Sequence, residues 1–165
     1  MQDANTESAG TTVPRLSEAA AGVVGGVVAG AAYLVAQVSF TAAVRPEGAA
    51  EPLQRIAAIL MGPGSAPPPA AFSFTVFGMA LIIHFGLSMA FGRIVAAAVW
   101  RRRAATAILA GALAGLALYA VNFGWIAPLA FPWFEDSIGW VTIVDHALFG
   151  AVAAAVCVAL RKTRP

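Results

Sequence analysis

The sequence predicts an all-α integral membrane protein: a four-transmembrane-helix bundle with a short interfacial helix in its first outer loop. Three observations carry that prediction. Of the 165 residues, 60% are hydrophobic types and only 11% are charged, whereas a soluble domain carries roughly 25% charged residues to clothe its surface. The apolar residues gather into four runs, each near the roughly 20 residues that cross a hydrocarbon core. The basic residues, in turn, fall mainly between or beyond those runs on one side.

The first span is expected at about 19–44, closed by Arg45-Pro46-Glu47-Gly48. The second, about 71–100, is long enough to tilt. The third, about 104–127, is expected to end at Pro128, because proline cannot continue an α-helix ladder. The fourth covers about 138–160. Only Arg101-Arg102-Arg103 joins the second to the third, so those two helices are expected to form a tight antiparallel hairpin.

Sidedness follows from the cations. Arg15, Arg101, Arg102, Arg103, Arg161, Lys162 and Arg164 lie on one side, Arg45 and Arg55 on the other. By the positive-inside rule both termini are cytoplasmic. Arg93, two turns before the triple arginine, can snorkel to the same interface. Residues 1–16 are polar without a basic start and read as a disordered cytoplasmic tail. The run after them is longer than a signal-peptide core and lacks an A-x-A exit, so it reads as a retained helix. Abundant Ala, Gly and Arg with a single lysine, Lys162, suit a GC-rich bacterial genome. The expected location is a bacterial inner (cytoplasmic) membrane.

Neither outer connection reads as a plain loop. Leu53, Ile56 and Leu60 recur at helical spacing with Gln54 and Arg55 between them, as in a helix lying on a membrane surface. Met61-Gly62-Pro63-Gly64 and Pro67-Pro68-Pro69 end it. The second connection holds Phe131-Pro132-Trp133-Phe134 followed by Glu135 and Asp136, and aromatic residues favour the membrane interface.

Each span carries one stripe of small and polar residues. Gly22, Gly26, Gly30, Tyr33, Gln37 and Thr41 share an arc of about 100° on the first helix. Ser73, Phe77, Ala80, His84 and Ser88 align on the second, Gly111, Gly115, Tyr119 and Asn122 on the third. The fourth aligns Gly139, Thr142, His146, Gly150, Ala153 and Cys157. Small residues let helix backbones approach, and polar side chains in lipid seek partners on a neighbour. Gly22, Gly26, Gly30, Gly111, Gly115 and Gly150 are therefore the expected packing positions. Whether the first helix packs within the chain or against a second copy stays open at this point. Lone Cys157 reads as a small packing residue.

Depth is uneven along the stripes. Gln37, Asn122, Asp145 and His146 lie six to eight residues from the outer ends of their helices, roughly 9–12 Å at ~1.5 Å per residue, and His84 lies deeper. With Ser88, Tyr119 and Thr142 they make a polar intramembrane cluster in the outer half. The cytoplasmic half is almost all Gly, Ala, Val and Leu. Asp145 draws notice because a carboxylate at depth costs ~2.5–3.5 kcal/mol on insertion scales. Its expected partner is His84 or a residue of another helix, since it points about 100° away from His146.

Those residues leave three functions open. The cluster can be structural, in a non-enzymatic accessory or interaction subunit of the membrane. It can be the site of an oligomeric, proton-linked transporter of a small solute. Or His84 and His146, on two helices of a bundle, can ligate haem b or a metal ion, with Asp145 as a third metal ligand. The leading expectation is the first, with no enzyme activity, no resident cofactor and no metal. Neither G-x-S-x-G nor H-E-x-x-H occurs, and a net charge of +2 offers no field for nucleic acid. The expected partners are the lipid bilayer and a second copy or another membrane protein.

The stretches 53–62, 84–93, 117–134 and 146–155 resemble a group of small bacterial four-helix inner-membrane proteins of unassigned activity, some labelled "sodium:proline symporter". His84 with Ser88, Asn122-Phe123, the aromatic block 131–134 and His146 with Gly150 carry the likeness, while Asp145 departs from the pattern. The resemblance implies an inner-membrane bundle and transfers no catalytic residue. Symporters of that kind resemble inverted repeats of many helices broken at the midplane, which four uninterrupted spans do not reproduce.

Overall fold

The computed structural model describes residues 16–44, 48–65 and 72–161. The expected tail, apart from Leu16, lies outside the described residues, as do Arg45 to Glu47 and the Pro67-Pro68-Pro69 return. The described chain is helical and contains no strand. Its helices are α1 (Glu18–Val44), α2 (Glu51–Met61), α3 (Phe74–Val99), α4 (Ala104–Ala130) and α5 (Trp140–Leu160). All but α2 are long and apolar enough to cross a membrane.

Local chemistry sets the ends. Pro52 opens α2, where its missing N–H belongs to the first turn that has no partner anyway. Gly62 closes α2 at φ +86°, a conformation that L side chains rarely adopt. The Ser73 hydroxyl accepts from the Val76 N–H and caps α3. At the far end of α3, the Arg161 guanidinium donates to the carbonyls of Val99, Trp100 and Arg102. A cation there answers both the orphan carbonyls and the negative end of the helix dipole. Arg161 thereby ties the end of α5 to the α3–α4 joint.

Pro128 does not end α4. Before it the helix widens through one π turn, Asn122–Ile126, in which the Ala127 N–H reaches back to the Asn122 carbonyl. The helix then runs on to Ala130. Proline lacks the N–H that would bond the carbonyl of Gly124 and its ring crowds that group. The wide turn relieves the conflict without breaking the helix.

The seams are built from small residues. A methyl at Gly22 would lie 2.8 Å from the Arg93 Cα, and one at Gly26 would fall on the Ser88 carbonyl. Across the molecule, Gly111 and Gly115 of α4 meet Gly150 of α5 with backbones in contact. Gly25 fits α1 against Ala153 and Cys157 of α5. All six expected glycines sit on seams inside the chain, so the stripe of α1 packs internally. Gly25 and Gly92 join them. The core is accordingly alanine-rich, and its largest fully buried side chains are only Val95, Val99 and Cys157. These sit toward the arginine-rich end of the bundle.

Two expectations need correction. The α3–α4 hairpin is tight only at its joint. α4 packs far more closely on α5 than on α3, and toward the α2 end the two hairpin helices part around a cavity that both line. Second, not every stripe residue faces inward: Phe77 is exposed and Ser73 is a cap. The short helix expected around Leu53, Ile56 and Leu60 is α2. Its Gln54, Arg55, Ala57 and Ala58 are buried and it packs on α3, while Leu60 is 69% exposed.

Candidate functional site

Two histidines on different helices are each fixed by one backbone carbonyl. His84 Nε2 lies 2.8 Å from the carbonyl of Gly30 on α1. The absence of a side chain at Gly30 allows that approach. His146 Nδ1 lies 2.8 Å from the carbonyl of Thr142, one turn back on its own helix. A carbonyl only accepts, so the bonded nitrogen carries the proton in both rings. The tautomers are therefore opposite: His84 keeps a lone pair on Nδ1, His146 on Nε2.

Aromatic rings surround this pair. Tyr33, Tyr119 and Phe123 stand edge-on to His146 at centroid distances of 5.2, 5.5 and 5.6 Å. Tyr33 also lies 5.9 Å from His84, so one α1 residue touches both imidazoles. Tyr119 stacks on Phe123.

The histidines line a cavity of about 430 Å³ between α3 and α4. Ser88, Phe91, Leu118, Asn122 and Phe149 complete its walls. Ile56 and Ile59 of α2 and Phe131 and Phe134 of the following connection roof it. The volume falls in the ~300–1,000 Å³ range of small-molecule sites, and the mostly apolar walls with few polar groups match their usual make-up.

A second cavity, about 320 Å³, lies beside it toward the α2 end. Gln37, Thr41, Glu51, Arg55, Asp136, Ser137 and Thr142 make it the more polar of the two. Tyr33, Ile56, Phe123 and Phe134 border both, forming the partition.

Arg55 holds the roof in place. Its guanidinium donates to the Trp133 carbonyl at 2.7 Å, Ser137 Oγ at 3.2 Å, Glu51 Oε1 at 2.6 Å and Asp136 Oδ2 at 3.2 Å. The Trp133 indole N–H returns a bond to the Arg55 carbonyl at 3.1 Å. Thr142 Oγ1 donates to the Ser137 carbonyl at 2.5 Å and continues this network into α5.

The expected polar cluster is thus divided. His84, Ser88, Asn122 and His146 share the larger cavity; Gln37 and Thr142 line the smaller one; Tyr119 stands behind His146. Asp145 is 5% exposed and lines neither cavity, and its Oδ2 has no hydrogen-bond partner. His84, its expected partner, is committed instead to Gly30. Among the described residues, Gln37 Oε1 is likewise a buried acceptor without a donor. Among the described residues no three of His, Cys, Asp and Glu gather as a metal site.

Sequence reasoning left Tyr33 and Arg55 out of the site. Tyr33 lay on the α1 stripe, one turn beyond Gly30, and that position was its signal. Arg55 had only its i, i+4 spacing from Glu51; its other partners are 78–82 residues away in sequence.

Comparisons of the chain with protein-family models, with curated proteins and with solved structures return no match.

Proposed function

We propose that this is a multi-pass protein of a bacterial inner membrane, with both termini in the cytoplasm, acting as a non-enzymatic binding or interaction subunit that holds a small, mostly apolar molecule. The arginine-rich end of the bundle then faces the cytoplasm and α2 lies at the outer interface. Seven basic residues against two support that orientation. The observation that carries the binding role is the 430 Å³ cavity, lined by two oriented imidazoles beneath a roof pinned by Arg55. A bundle needing only mutual support would close such a space, because a cavity forfeits packing contacts on every wall.

Photolysis of a small apolar diazirine with the protein in lipid nanodiscs tests this reading. Labelling should concentrate on residues 118–127, above the level at exposed Leu109 and Leu113, and Leu87→Trp at the cavity wall should remove the excess. Even labelling of all lipid-exposed positions would count against a binding cavity.

One observation favours a second reading, an oligomeric proton-linked transporter of a small solute. Asp145 is buried and its Oδ2 lacks a partner, and intramembrane ionisable residues are functional candidates by default. Uptake into proteoliposomes should then depend on pH and vanish in Asp145→Asn. Uptake that persists in that variant removes Asp145 from the mechanism.

A further inference from the structure

The hydrogen-bonding inventory of the larger cavity is lopsided, and that asymmetry points to one kind of ligand. Each histidine spends its N–H on a backbone carbonyl, His84 on Gly30 and His146 on Thr142. A neutral imidazole has one donor and one acceptor. What each ring retains for an occupant of the cavity is therefore an acceptor. Asn122 can turn either its carbonyl or its NH₂, and the hydroxyls of Tyr33 and Ser88, which line the same cavity, can each donate or accept, so none of the three discriminates. Ser88, 4% exposed, is tucked against Gly26 and Gly30 at the α1 seam. The two fixed groups both ask for a donor.

The rest of the wall specifies the body of the ligand. Phe91, Phe123, Phe131, Phe134 and Phe149 come from four segments of the chain and surround the same space. Aromatic rings favour offset or edge-on contact with another flat ring. Because both imidazoles touch Tyr33, their centroids are no more than about 11 Å apart. Two hydroxyls at opposite ends of one six-membered ring, each making a hydrogen bond of ~2.7–2.8 Å, can reach across a gap of that order.

We propose that the cavity binds a lipid-soluble hydroquinone, one hydroxyl donating to His84 Nδ1 and the other to His146 Nε2. The oxidised quinone presents carbonyl lone pairs to the same nitrogens and is disfavoured, because a polar group set against a like group in a dry site keeps its desolvation cost with no bond in return. This rests on the binding role proposed above and adds to it the ligand class and the redox form that is held.

The test uses the full chain in nanodiscs under anaerobic conditions, with calorimetric titration corrected against empty nanodiscs. The probes are a decyl hydroquinone, the matching decyl quinone and the hydroquinone dimethyl ether. The hydroquinone should bind at least tenfold more tightly than either other compound. His146→Phe and His84→Leu should each bring it down toward the quinone, with helicity by circular dichroism unchanged. Equal saturable binding of all three, lost in Leu87→Trp, would overturn the donor assignment while leaving the binding cavity intact. No saturable binding by any of them would overturn both. Tighter binding of the quinone would reverse the assignment and so defeat it.

Discussion

Arg55 and Trp133 are joined reciprocally across 78 residues of sequence: the guanidinium donates to the Trp133 carbonyl at 2.7 Å and the indole N–H donates to the Arg55 carbonyl at 3.1 Å. With Glu51 and Asp136 also on the guanidinium, one buried side chain couples α2 to the connection before α5. Of its two carboxylate partners, Asp136 is largely exposed and Glu51 is enclosed. The enclosed pair dominates, since solvent screens the other. Removing the guanidinium takes the close ion pair from Glu51 and a donor from the Trp133 carbonyl. Arg55→Ala should therefore cost about 1–3 kcal/mol, as for a buried polar group left unsatisfied, read as a fall in the thermal midpoint in detergent. Arg55→Lys should recover less than half of that, because an ammonium cannot reproduce the fork that meets Trp133 and Glu51 together. An unchanged midpoint in Arg55→Ala would show that the roof does not depend on the clasp.

The glycine seams give a sharper contrast. A methyl at Gly115 would fall on the His146 carbonyl, whereas one at Gly78 meets nothing within 4 Å. Both are interior helix positions. Gly115→Ala should destabilise by about 1–3 kcal/mol through overpacking. Gly78→Ala should be neutral or stabilise by about 0.5–1 kcal/mol, because alanine loses less backbone freedom. Unfolding of the two variants side by side in one detergent checks both. A stable Gly115→Ala protein would mean that the α4–α5 seam yields readily.

Much of this fold is legible in the sequence, for a definite reason. Lipid-length apolar runs and a 3.6-residue stripe are local patterns, and Gly26, Gly115 and Gly150 lie where the period places them. What is not legible depends on groups distant in sequence. Nothing near Arg55 announces Trp133 or Ser137. Pro128 is a breaker by local rules, yet the π turn over Asn122–Ile126 accommodates it and the helix runs on to Ala130. The division of the polar cluster was hidden for a similar reason. Helical phase sets His146 and Asp145 on different faces of one helix and His84 on the stripe of another, but only the parting of α3 from α4 places His84 and His146 on one cavity.

His84 and His146 make different bonds, so their loss should have different consequences for stability. The His84 bond crosses from α3 to α1, while the His146 bond stays within α5. Interhelical hydrogen bonds in membranes average ~0.6 kcal/mol and reach about 1.7. His84→Leu should cost about 0.5–1.5 kcal/mol. His146→Phe keeps an aromatic ring among Tyr33, Tyr119 and Phe123 and should cost less than His84→Leu. Steric-trap or detergent unfolding measures the difference. The reverse order would indicate that the aromatic cage, more than the α1–α3 bond, organises this end.

Asp145 offers the last test, because structure and function pull on it in opposite directions. Its Oδ2 is buried without a donor, and an unsatisfied buried polar group costs about 1–3 kcal/mol, more when charged. Leucine keeps the number and branching of the side-chain heavy atoms and removes the polar group altogether. Asp145→Leu should therefore raise the unfolding midpoint, by the equivalent of about 1–3 kcal/mol. A carboxylate that served only the bundle would have to stabilise it, and the variant would then fall instead. The two outcomes separate a residue retained at a cost to stability, as a transport or binding role demands, from one that holds the helices together through a contact made only in the membrane. Measuring the variant in nanodiscs as well as detergent makes the distinction, since a partner supplied by lipid headgroups would reverse the sign between the two.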